Sequence, residues 1–112
     1  MQSNPNFTVD QHSLARAAEA MRCLPFKRSF YENAATDPLS SPAVCAQRSW
    51  CKADLNADAT ENIFCWLIKL GVLRREVDGQ GLTHRVRLTP MGKQVLLLWP
   101  GEIPSATKLR RL

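Results

Sequence analysis

A chain of 112 residues with 45% hydrophobic and 22% charged side chains has the make-up of one globular domain. No apolar run approaches the roughly 20 residues that a membrane-spanning helix needs. The net charge of +5 is lopsided: six Lys/Arg cancel six Asp/Glu over residues 1–60, whereas residues 61–112 carry nine against four. Such an excess suits a polyanion, because each cation near a phosphate releases counterions, yet a solvated basic surface has the same composition.

In chain order, residues 1–7 form a loose start. "TVDQHSLARAAEAMRCLP" then has the spacing of an amphipathic helix, with Val9, Leu14, Ala17, Ala18 and Met21 on one face. Thr8 is the expected cap, with Gln11 three residues on. A short helix over Arg28–Ala35 follows, and "DPLSSP" breaks it. Ser41 before Pro42 has the chemistry of a helix start, which predicts a helix over 42–52. "KADLNADA" is a turn, and "TENIFCWLIKL" is the next helix. It places Ile63, Phe64, Leu67, Ile68 and Leu70 inward, with Glu61, Asn62, Cys65, Trp66 and Lys69 outward. Gly71 ends it.

Beyond Gly71 the hydrophobic period falls to two. Val72–Val77 and Leu82–Thr89 are predicted strands joined by "DGQG", a hairpin signal. Arg85 and Arg87 alternate with Leu82, His84, Val86 and Leu88, so His84 is expected in the core. Thr89-Pro90 starts a last helix through Trp99, and residues 101–112 form a basic tail. On that helix Met91, Val95, Leu98 and Trp99 share one face. Leu96 and Leu97 fall outside it, which points to a contact with a second copy or to cover by the tail.

Catalytic and cofactor motifs are missing from the sequence: no glycine-rich phosphate loop, no nucleophile elbow and no paired-histidine metal motif. Cys23, Cys45, Cys51 and Cys65 include no C-x-x-C pair, and His12 and His84 have no zinc-ligand spacing. The opening "MQSNPNFTVDQ" lacks the basic and apolar stretches of a secretion signal. The expectation is therefore a cytoplasmic protein with four reduced, buried thiols, no catalytic residues, no metal and no cofactor.

The run "LIKLGVLRREVDGQGLTHRVRLTPMGKQVL", residues 67–96, resembles the recognition-helix end, wing and following helix of winged-helix regulators. The multiple-antibiotic-resistance and PadR-like regulators are the comparison, through Leu67, Leu70, Gly71, Val72, Leu73, Arg74 and Arg75, then Val86, Leu88, Thr89 and Gly92. The rest is similar to small bacterial, notably cyanobacterial, winged-helix proteins. The resemblance implies an α+β, mostly helical fold: a winged helix-turn-helix domain over 8–100 with a two-stranded β-hairpin wing. It also implies double-stranded DNA as partner and a role in transcription regulation. The residues placed for that contact are Lys69, Arg74, Arg75, Gln80, Arg85 and Arg87. The outward face of the helix over "TENIFCWLIKL" departs from the pattern, with one cation, one acid and an exposed aromatic. Trp66, Leu96 and Leu97 are accordingly candidates for a protein interface, either with another protein or in a homodimer through the last helix, and a module without DNA binding is the alternative.

Overall fold

The computed structural model describes residues 10–106. The loose start at 1–7, the Thr8 cap, Val9 and the tail beyond 106 lie outside the described residues. The first helix, α1 (Gln11–Cys23), is capped by Asp10, whose carboxylate accepts the Ser13 amide at 3.1 Å. Ala17 and Met21 are buried as the spacing predicts, with Leu14 and Ala18 packed beside them.

The molecule's centre lies where the sequence pattern is least regular. Phe26, Phe30, Tyr31 and Phe64 are all fully buried. They come from the α1–α2 link, from α2 (Arg28–Thr36) and from α4 (Ala57–Lys69). Phe26 and Phe30 have ring centroids 4.2 Å apart, and the Phe30 and Phe64 rings stack at 5.9 Å. Aromatic rings at such separations add to the stabilisation that their buried area already supplies.

Between α2 and α4 the predicted helix over 42–52 is two pieces. One is α3 (Ser41–Ala46) and the other a 3-10 turn at Arg48–Trp50, separated by Gln47 with a ψ of 80°. The cap is Ser40, whose hydroxyl accepts the Ala43 amide at 3.3 Å, one residue before the expected Ser41. Two backbone bonds fix the turn to the α1–α2 link: Lys27 N to Trp50 O at 2.8 Å and Lys52 N to Pro25 O at 2.7 Å. Next, α4 starts at Ala57, three residues earlier than "TENIF" suggests, because Asn56 caps it through the Ala59 amide at 2.7 Å. Gly71 then turns the chain out with φ +85°, a left-handed conformation that glycine adopts without Cβ strain.

Strands β1 (Leu73–Asp78) and β2 (Gly81–Leu88) form one antiparallel hairpin. Leu39, between α2 and α3, exchanges backbone bonds with Val86 at 3.0 and 2.9 Å, which ties the hairpin base to the helices. The last helix, α5 (Pro90–Leu96), is set by Thr89. Its hydroxyl accepts the Gly92 amide at 3.0 Å and faces the Val72 carbonyl at 3.0 Å, while its amide bonds Val72 O at 2.9 Å. Gly92 is needed for close approach: a Cβ there would lie 2.8 Å from Val72 O and 2.6 Å from a Leu88 methyl.

The helix stops at Leu96, short of the predicted Trp99. Leu96 is 6% exposed, so its placement outside the core stripe is corrected, and Leu98, expected inside, is 52% exposed. The reason is the early end, after which the chain leaves the helical period. Arg28 closes that end with one guanidinium nitrogen, which donates to the carbonyls of Leu96, Trp99 and Gly101 at 3.3, 3.1 and 2.8 Å. Glu102 in turn accepts the Arg28 amide at 2.7 Å, and Ile103 is buried among the core residues. Ile103 thus anchors this segment to the body. Among the described residues the architecture is α+β and mostly helical: five α-helices and a two-stranded antiparallel sheet. None of these helices is long and apolar enough to cross a membrane.

Candidate nucleic-acid interface

The hairpin has two unlike faces, and its register decides which arginine goes where. Leu73 pairs with Leu88, Arg74 with Arg87 and Arg75 with Val86. Leu73, Val86 and Leu88 are buried, so Arg75 shares their inner face and turns toward α4. There its guanidinium forms an ion pair with Glu61 and also donates to the His84 carbonyl at 2.8 Å. Arg75 is therefore half-buried and committed to partners within the protein.

Beyond Arg75 the register shifts. Val77 faces Leu82, which leaves Thr83, His84 and Arg85 opposite Glu76 alone. Such a bulge interrupts the ladder and bends the strand. Side chains take over the freed backbone groups: the Thr83 hydroxyl donates to Glu76 O at 2.9 Å and accepts the Arg85 amide at 3.2 Å. The bulge also corrects the placement of His84, which is exposed rather than in the core. Leu82, on the same predicted apolar face, is 74% exposed, and its partner Val77 is 57% exposed. The hairpin extends past the body here, so alternation no longer means burial.

Five candidates remain, four on the hairpin and one on α4. Arg87 forms an ion pair with Glu76. Arg74 and Arg85 are exposed and meet no carboxylate among the described residues. Gln80 is exposed at the tip, its amide held by the Asp78 carboxylate at 2.7 Å. On α4, Lys69 is exposed in the last turn, with Asp58, Asn62, Cys65 and Trp66 exposed along the helix and Trp66 at 54%. Arg74, Arg85 and Arg87 thus share the hairpin, whereas Arg75 is withdrawn from any shared surface. The acids Glu61 and Glu76 were missed as counter-ions. Glu76 lies two residues from Arg74 and hence diagonal to Arg87, a relation that becomes visible only once the register is known.

The protein-interface candidates divide as well. Trp66 and Leu97 are open, Leu97 at 80%, while Leu96 belongs to the core. Of the four cysteines, all free, Cys51 is buried and Cys45 half-buried, but Cys23 and Cys65 are exposed, against the expectation of four buried thiols. Their helices turn these positions outward, and their thiols point to Glu19 and Glu61 at 3.9 and 3.8 Å. Among the described residues no three His, Cys, Asp or Glu side chains are grouped to hold a metal ion.

A family model described as Npun_F0494-like matches residues 7–112, nearly the whole chain, so the chain belongs to that family. No curated protein and no solved structure matches it.

Proposed function

We propose that this member of the Npun_F0494-like family is a winged-helix protein that binds double-stranded DNA mainly through phosphates, as a cytoplasmic regulator or accessory factor without catalysis or cofactor. Support for the fold part comes from the element order: α2, α3 and α4, then the hairpin as wing, then α5. The Leu39–Val86 bridge adds to it, since a wing needs a root fixed to the helices that dock beside it.

The observation that carries the DNA part is Arg74 directly opposite Arg87, with Arg85 two residues along the same strand. Like charges opposite one another weaken a ladder. Glu76 offsets Arg87, and a phosphate would offset Arg74 and Arg85. Lys69 stands at the near end of α4, while Asp58 opposes close approach of its first turn to a backbone phosphate. Contacts of this kind hold a duplex in place without reading its sequence, so discrimination between sequences is expected to be small.

Mobility shifts of a random-sequence duplex at two salt concentrations test this. The double change Arg74→Ala and Arg85→Ala should weaken binding and flatten the slope of log K against log salt by about two units. Undiminished affinity would remove the wing from the interface. Failure of the unaltered protein to bind duplex would bring forward the second reading, a protein-contact module or homodimer. That reading is favoured by the exposure of Trp66 and of Leu97 and Leu98.

A further inference from the structure

Two thiols share a cavity that the DNA reading does not use. Cys45, in the last turn of α3, and Cys51, just past the 3-10 turn, line a depression of about 200 Å³ with Arg48, Ala53, Asp54 and Leu55. An ion pair of 2.6 Å joins Arg48 to Asp54 beside them. The two cysteines differ in access. Cys45 is half-buried, its thiol on the Pro42 carbonyl at 3.4 Å, whereas Cys51 is buried and its amide bonds Arg48 O at 3.2 Å. Burial pushes the Cys51 thiol up, the nearby Cys45 adds to this and Lys27 opposes it. The Tyr31 hydroxyl is buried and has no hydrogen-bond partner among the described residues, and burial followed by the neighbouring Cys51 holds its pKa well above the ordinary value. A polar group thus lies unused beside the pair.

We propose that Cys45 and Cys51 are a peroxide-responsive pair that forms a disulfide in the connection between α3 and α4. The accessible Cys45 thiolate attacks one oxygen of hydrogen peroxide, the O–O bond breaks, and the departing hydroxide takes up a proton to become water. Cys45 is then a sulfenic acid. The Cys51 sulfur attacks it, giving up its thiol proton; the S–O bond breaks, a second water leaves and the S–S bond forms. Two thiols are oxidised by two electrons in all, and peroxide is reduced by two. The roles follow from access: peroxide reaches the half-buried Cys45 first, and Cys51, buried and with its thiol pKa pushed up by burial, resolves the first product. The helix breaks at Gln47, so the two thiols stand on separate short pieces of chain on either side of Arg48. Cys23 and Cys65 stand on α1 and α4, outside this cavity.

The test uses the full chain, reduced, exposed to a small excess of hydrogen peroxide, quenched with catalase and denatured. Free thiols should fall from four to two, and dithiothreitol should restore them. Trypsin cuts after Arg48, between the two cysteines, so the bridge must hold peptide 29–48 to peptide 49–52. In Cys51→Ser the bridge should vanish and a sulfenic acid at residue 45 should become trappable by dimedone. Four surviving thiols, loss confined to Cys23 or Cys65, or absence of the linked peptides would overturn the proposal. The peptide assignment in the unaltered chain decides the matter even if the variant does not fold.

Discussion

Around α2, four aromatic rings are sealed from solvent and reach one another at centroid distances of 4.2 to 6.2 Å. At the far end of the hairpin, Val77 and Leu82 form a cross-strand pair that is more than half exposed. Both regions are apolar, but only the first removes its side chains from water, and the hydrophobic contribution scales with the area removed. The hairpin instead depends on its root, where Leu73, Val86 and Leu88 are buried and Leu39 is bonded to Val86. Charge follows the same division. Arg75, near the root and on the inner face, is tied to Glu61, while Arg74 and Arg85 stay open to solvent. Burial is thus concentrated in the helices and the hairpin root, and the outer hairpin contributes little to it.

Three variants test that contrast in descending order of effect. Phe30→Ala should lower unfolding free energy by about 3–5 kcal/mol, since it empties the middle of the aromatic group. Urea denaturation measures this, and a loss under about 1 kcal/mol would mean the interior is not centred on α2. Arg28→Ala should cost about 1.5–3 kcal/mol, because one charged donor closes the end of α5 through three carbonyls. If the same experiment gave no change, water would be replacing the guanidinium there. The paired change Val77→Ser and Leu82→Ser should stay within about 0.5 kcal/mol of the parent. A larger loss would show that the hairpin tip is covered in solution, which would sharpen the case for a partner on that surface.

Much of this order was legible in the sequence because periodicity reports burial wherever an element packs along its whole length. α1 and the Val86–Leu88 end of β2 do so, and their inward residues were readable. Periodicity misleads where an element runs beyond the body, and His84 and Leu82 are in the open for that reason. Leu96 and Leu98 exchanged places because the end of α5 is set by Arg28, a residue 68 positions away that no local pattern connects to it. The candidate site was half legible. Its cations were evident from composition, but their pairing with Glu61 and Glu76 depends on the inner face of β1 and on the bulge. A two-residue offset in β2 cannot be read from alternating side chains, and it decides which arginines are free. Caps moved by one or two residues, to Asp10 and Ser40, since neighbouring Ser, Thr and Asp compete for the same role.

The clasp between Arg28 and the segment from Leu96 to Glu102 has a consequence for how the chain is made. It joins residues 68 to 74 positions apart, so most of the polypeptide must be in place before it can close. During synthesis α2 would emerge early, with its arginine waiting for the segment from Leu96 to Glu102. The clasp on Arg28 can therefore close only after α5 and the residues up to Gly101 have been added to the chain.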